Sequence, residues 1–386
     1  MARGKGPDGL DPAALGALAL WCLWVVLATV WAGRSPLAAL PYLGPPVVLI
    51  AGLLAGRWAG RRPPGWLLPA LLAVVAWFFV LGWVITPVPG KLPTRYPNAN
   101  AAVGVQLMAL VGLAALAQRS VRPRRAIEEQ GRGPAVVLAA AALGSVLVLG
   151  LNASVAATIV AVPVMVATAF AVARRRGPRP AVSWLAGTLV LGCAAAAVVG
   201  LARRSVWPDA VVVGLDRVRK QLWSEALGLL NRHLLTGGGA GSFRETNMLS
   251  VDPDLASAHS WVLQVAAEFG LVGFGMFALV LALGLALAVR GSRAGGLIAA
   301  AAWTALGVHS TVDHLYEFAP VTFAAGAVLG WASASPQKSS MSPSVRHQSD
   351  AGGGVAASGR DVRSGPAPGT GSGTSPADGP VRRPMA

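Results

Sequence analysis

The chain has 386 residues, 54% hydrophobic and only 12% charged, with a formal net charge of +16 and positive mean hydropathy. A soluble domain of this length carries about twice that share of charge, which excludes a soluble globular protein and points to a polytopic membrane protein. The excess of arginine does not indicate nucleic acid, because the arginines sit in short clusters between apolar runs, with no continuous basic stripe and no aromatic-rich binding face.

In chain order, apolar runs near the roughly 20-residue length of a spanning helix recur at about 13–32, 38–56, 66–86, 99–117, 134–151, 153–173, 182–201, 262–289, 294–309 and 316–334. The pattern predicts an all-α protein with about ten transmembrane helices, its membrane domain covering 13–334. The first run follows Arg3 and Lys5, exceeds a typical signal-peptide core and lacks a small-x-small cleavage site, so it reads as a retained span. Cys22 and Cys193 fall inside apolar runs and read as small core residues, without disulfide or metal spacing. The fifth and sixth runs nearly touch at Leu151 and Asn152, which predicts a tight helical hairpin. The eighth run is longer than a crossing needs, which predicts a half-helix at the interface before the crossing itself.

With the N-terminus inside, the inner side collects sixteen Lys and Arg, while the short outer loops hold three, Arg34, Lys91 and Arg95. This bias predicts a multi-pass protein of the cytoplasmic membrane with both termini cytoplasmic and the segment 202–260 extracytoplasmic. Residues 335–386 are rich in Gly, Ser, Pro and Ala, as in "SGPAPGTGSGTSPADGP". They cannot bury enough apolar surface to offset the entropy of ordering, so a disordered cytoplasmic tail is expected.

The chemically unusual residues lie in 202–320. The stretch 214–235 reads as one amphipathic helix in which Arg219 shares a face with Trp223, Ala226 and Leu230, while Arg217 and Lys220 face water. A cation on the apolar face stacks on Trp223 or snorkels to lipid, or it holds a phosphate, for which the planar guanidinium is well suited. "GGGAGS" at 237–242 lacks the GK[ST] ending of a phosphate loop and follows a helix, so it reads as a flexible cap that redirects the chain.

His259 precedes the eighth run and Glu268 lies nine residues on, a half turn away on a straight helix. The two would face apart, whereas Gln264 and Glu268 share a face. Ionisable groups at membrane depth cost roughly 2.5–3.5 kcal/mol each and usually face a protein interior. In "GVHSTVDHLYEFAP" at 307–320, His309 and Asp313 are four apart and His314 follows, a set that would need Glu317 to complete a metal site and that a hydrated loop also satisfies.

In this order these motifs resemble the O-antigen ligase and polymerase family of bacterial membrane glycosyltransferases. The resemblance rests on Arg219 and Trp223 spaced as Arg-x-x-x-Trp, then Gly237, Gly239, Gly241 and Phe243, then Ala258-His259. Glu268, Gly270 and Gly273 follow, and His309, Ser310, Asp313 and Pro320 close the run, with "YPNANA" at 96–101 upstream. It covers about 95–330 and implies a C-type glycosyltransferase-like membrane bundle topped by an extracytoplasmic loop. It further implies transfer of a glycan from an undecaprenyl-pyrophosphate carrier to the hydroxyl of a glycan or lipid-glycan acceptor, in contact with membrane lipid, with no cofactor, no metal and no nucleic acid. Mapped onto the chain, Arg219 would hold the diphosphate and His259 would bind or deprotonate the acceptor hydroxyl. Trp223, Gly239, Gly241, Glu268, His309 and Asp313 would contact substrate.

Two positions depart from the family pattern. Val155 stands where an arginine often opens the sixth span, leaving Arg95, Arg203, Arg204 and Arg244 as sources of a second phosphate-binding cation, and Ser260 replaces the usual Asn after the histidine. The motifs do not separate ligase from polymerase, since the acceptor decides. A lipid-linked oligosaccharide transporter or flippase would favour paired repeats and charges at mid-membrane depth, and a non-enzymatic envelope scaffold would need a degraded site.

Overall fold

The computed structural model describes residues 12–61, 96–121, 154–252 and 255–334, with isolated positions between 139 and 152. The expected spans at 66–86 and most of 134–151, and the expected tail, lie outside the described residues. Among the described residues every regular element is helical: α1 (Pro12–Trp31), α2 (Leu40–Gly60), α3 (Pro97–Val121), α4 (Val155–Arg174), α5 (Pro180–Ala202), α6 (Asp209–Leu215), α7 (Arg217–Arg232), α8 (Ser242–Thr246), α9 (Trp261–Ala288), α10 (Arg293–Thr311) and α11 (Ala319–Ser333). Six apolar helices, at Pro12–Trp31, Pro36–Gly60, Pro97–Gln118, Val155–Arg174, Pro180–Ala202 and Trp261–Ala288, are long enough to cross a bilayer.

Local chemistry sets the starts of these helices. Ser154 accepts from the Ala157 amide at 3.2 Å to open α4, Ser260 from Leu263 at 3.4 Å to open α9, and Ser292 from Gly295 at 3.1 Å to open α10, each satisfying an N–H that the first turn leaves unpaired.

Helix α3 is the buried centre, packed by α4, α10 and α11. Around it α1, α4 and α5 turn large apolar side chains outward, among them Leu23, Leu27, Ile159, Val166 and Leu189, a lipid-facing belt that a soluble protein would not expose. Small residues let α2 and α11 approach closely. A Cβ on Gly56 would stand 2.0 Å from the Ala327 carbonyl oxygen, and one on Gly330 would stand 2.1 Å from that of Leu53. Dispersion and backbone contact carry this seam, since lipid supplies no hydrophobic drive between helices.

The expected single helix over 214–235 is two. Asp216 adopts φ 72° and accepts from the Val218 amide at 3.4 Å, so α6 ends there and α7 begins, closing at Arg232. The long eighth run does contain a half-helix: α9 breaks at Gly270 (φ 67°, ψ −170°). Chain 234–239 lies across that break. Leu271 donates to the Leu234 carbonyl at 2.9 Å and Gly239 to that of Glu268 at 2.8 Å. A Cβ on Gly237 would meet the Glu268 backbone at 2.2 Å and one on Gly270 the Leu235 carbonyl oxygen at 2.2 Å, so both glycines are required by close approach as well as by positive φ.

Candidate active site at one end of the bundle

The start of α3, the start of α9, the end of α10 and the turn 315–317 meet at one end of the bundle, around Asp313. This side chain is 1% exposed. Its carboxylate accepts from the Tyr96 hydroxyl at 2.5 Å, the Asn98 amide at 2.6 Å and the His314 backbone N–H at 2.9 Å. The His314 ring nitrogen Nδ1 stands 3.0 Å away in an ion-pair contact rather than an aligned hydrogen bond, and His259 Nδ1 stands 3.6 Å away. The Tyr96 hydroxyl also lies 3.4 Å from His259 Nδ1.

Electrostatics fit this arrangement. Burial opposes ionisation of Asp313, but its contacts with His259, His314 and Tyr96 outweigh burial and hold the carboxyl well below its ordinary 3.8. Burial likewise disfavours a charged His314, yet the Asp313 contact raises the imidazole above its ordinary 6.5. Burial and then the Asp313 charge keep the Tyr96 phenol far above its usual range, so it stays a donor.

His259 itself sits at φ 46°, a left-handed conformation uncommon for any residue with a Cβ. The chain is fixed on both sides: Ala258 N–H donates to Gln264 Oε1 at 2.7 Å, and Trp261 N–H to the Asp313 carbonyl at 3.0 Å. Strain of this kind, over-determined by its surroundings, is common at functional sites.

Arg219 approaches from α7. It is half-buried, shares its face with the buried Trp223 and Ala226 as the periodicity predicts, and donates Nη1 to the Leu215 carbonyl at 3.0 Å. Its Nε is buried with no hydrogen-bond partner, as are Trp223 Nε1 and both ring nitrogens of His309. The Arg219 charge opposes protonation of His314 and favours ionisation of Tyr96, each as the smallest of several influences. Unsatisfied buried polar atoms are costly, about 1–3 kcal/mol each; of the two nitrogens of a neutral His309 ring, one donates and the other accepts. Lys220, expected to face water, donates instead to the Ser205 carbonyl.

The remaining sequence-predicted residues separate into two groups. Glu268 is fully buried and committed to the glycine segment: Oε2 accepts from the Gly241 amide at 3.0 Å, and Oε1 from Phe243 at 3.2 Å and from Gln264 Nε2 at 3.0 Å. It does not pair with His259. Gly239 packs against Ala32 and Arg34, while Gly241 and Glu268 border an outer cavity. Arg34 ties the α1–α2 connection to the same segment, donating to the Gly238 carbonyl at 3.0 Å and to both Glu245 oxygens at 2.7 Å. Asp313 and His259 come together directly, while Trp223 is buried against Trp207 and His309 is buried near the end of α10.

Sequence spacing missed Tyr96, Asn98 and His314 as partners of the pair, although the first two stand in the "YPNANA" element. Spacing had grouped His309 with Asp313 as possible metal ligands; the structure instead gathers His259, Asp313 and His314, whose ligand atoms lie within 4.8 Å of one another. That set could hold a metal ion, and it is also complete as a hydrogen-bonded and ion-paired cluster.

An O-antigen ligase family model matches residues 137–278, a stretch that contains Arg219, Trp223, the glycine segment, His259 and Glu268. No curated protein matches the chain. Over that stretch the chain is similar to the O-antigen ligase family, and its six long apolar helices are those of a multi-pass membrane protein.

Proposed function

We propose, from that similarity and the site's geometry, that the protein transfers a glycan from an undecaprenyl-pyrophosphate-linked donor to an acceptor hydroxyl at the outer face of the cytoplasmic membrane, without a metal. The carrying observation is the network Asp313–His259–Tyr96 together with the half-buried Arg219, whose buried Nε has no hydrogen-bond partner. In this reading His259, its Nδ1 proton held toward Asp313, uses the Nε2 lone pair to take the acceptor proton. The acceptor oxygen then attacks the anomeric carbon, and the bond to the carrier phosphate breaks with its electron pair on the diphosphate. Charge grows on that leaving group as the bond lengthens, so a preorganised guanidinium contributes more in the transition state than in the ground state. An imidazole is a side chain well suited to proton transfer at neutral pH.

The second cation that Val155 does not supply has a neutral counterpart here. Trp223 Nε1 and the His309 ring add unpartnered donors near Arg219, and hydrogen-bond donors of this kind stabilise phosphate oxygens without adding charge. The outward orientation rests on the distribution of Lys and Arg.

The test uses the lipid-linked intermediate that accumulates when the gene is deleted, supplied to protein reconstituted in lipid nanodiscs. His259→Ala should abolish transfer while the protein inserts and melts normally. Arg219→Lys keeps the charge but loses Nε and the fork, and transfer should fall about 10²-fold, as for loss of one preorganised donor. Normal turnover in either variant would refute its assigned role.

A further inference from the structure

Beside the His259 network the outer end of the bundle opens into a cavity of about 840 Å³, within the size range of small-ligand sites. Part of its wall is aromatic. Tyr96 and Phe318 stack with centroids 5.1 Å apart and planes within 4°, and His314 packs on both, at 4.9 and 5.4 Å. Arg244, Ser257, Gln264 and Glu317 add polar groups of mixed sign beside the apolar Ala38, Pro41 and Ala256.

We infer that this cavity seats a neutral sugar of the acceptor glycan, its C–H face on the Phe318–Tyr96 platform and its hydroxyls on the polar wall. The assignment rests on the reading of His259 as the base for that acceptor. Aromatic faces carry negative charge density that attracts the weakly positive C–H groups of a pyranose ring, and the amide, hydroxyl and charged groups around them match the alternating donors and acceptors of its hydroxyls. Position agrees with chemistry. His314 meets His259 edge to face at 4.9 Å, and the Tyr96 hydroxyl is 3.4 Å from His259 Nδ1, so a sugar against this wall lies next to the imidazole.

The donor diphosphate does not suit the same space. Among the described residues Glu317, Glu245 and Glu268 all border it, against Arg244 and the His314 imidazole, and Glu245 is already held by Arg34. Arg219, with its unpartnered Nε, is not part of this lining. The two substrates therefore occupy different places: the anionic carrier on the α7 side of His259, and the neutral sugar in the outer cavity.

Saturation-transfer NMR on the full-length protein in nanodiscs tests this, with cellotriose and mannotriose as probes. Wild type should transfer saturation to the ring protons of one sugar face. Phe318→Leu fills similar space without a flat face and should weaken the signal about fivefold, while Phe318→Tyr should retain it. Arg244→Ala, at an exposed position on which folding does not depend, should weaken binding about two- to threefold. Arg219→Lys should leave the sugar signal unchanged, and inorganic pyrophosphate should not displace it. Absence of a wild-type signal with both probes, an unaltered signal in both Phe318→Leu and Arg244→Ala, or displacement by pyrophosphate would overturn the assignment. The sugar signal reads the cavity, and transfer by His259→Ala reads the catalytic assignment, so either can fail without the other.

Discussion

Asp313→Asn isolates the charge at the centre of the cluster while leaving its shape. The amide oxygen can stand where Oδ1 accepts from Tyr96 and from the His314 backbone. The amide nitrogen then replaces Oδ2, opposite Asn98 Nδ2, and Asn98 can turn its own amide over to present an oxygen. The hydrogen-bond count survives and the charge does not. A hydrogen bond to a charged partner contributes about 1.5–3 kcal/mol against about 0.5–1.5 kcal/mol for a neutral one, so three such bonds predict a loss of roughly 3 kcal/mol in stability. His259 loses the anion that faces its Nδ1 at 3.6 Å, and with it the bias toward the tautomer that presents a basic Nε2; a fall of about 10²–10⁴ in turnover is expected, the range of a misdirected general base. Thermal unfolding in nanodiscs and turnover of the accumulated lipid-linked donor measure the two effects. Undiminished turnover in a folded Asp313→Asn protein would refute the role given to the carboxylate.

The remaining predictions concern pH and the glycine segment. His314 is raised in the folded protein, so its contribution to stability is complete below 6.5 and is lost as pH rises through the raised value; Asp313 is depressed, so its contribution is present above 3.8 and is lost as pH falls through the lowered value. The pair should therefore stabilise most between about pH 4 and 6.5, and wild type should lose stability above that window by at most about 1.4 kcal/mol per pH unit per proton, a slope that His314→Gln flattens in pH-resolved melting. Glu268→Gln cannot accept on both sides of its head group, so one amide N–H faces a backbone N–H at Gly241 or Phe243; a cost of about 2–4 kcal/mol is expected, read as a lower melting temperature and faster proteolysis of 237–247.

The membrane helices were legible in the sequence because a bilayer demands long apolar runs, and every described helix of 15 or more residues other than α7 falls on an expected span. The break at Asp216 was not, since one aspartate inside a periodic run reads as a polar-face residue until its cap geometry is known. Arg219, Trp223 and Ala226 were placed correctly on one face because α7 is regular. Asp313 was misgrouped for a definite reason. The spacing that linked it to His309 assumes a continuing helix, but α10 ends at Thr311, and beyond that end the carboxylate turns to His259, Tyr96 and Asn98. Those partners lie 54 and more than 200 positions away along the chain, beyond what any local periodicity can indicate.

The glycine motif gains its meaning from the same long-range packing. Chain leaving α7 crosses the broken middle of α9, with Gly237 pressed against the Glu268–Phe269 backbone, Gly270 against that of Leu235 and Thr236, and Glu268 binding the amides of Gly241 and Phe243. Arg219 stands on the helix entering this crossing, and His259 immediately precedes the half-helix that the crossing braces. The distance between guanidinium and imidazole is thereby set by a backbone staple and a buried carboxylate, and is not left to a flexible outer loop. On the proposed reading that rigidity has a use: the carrier would approach from the bilayer and the acceptor from water, so the two groups serving them would need to be fixed relative to each other before either substrate binds.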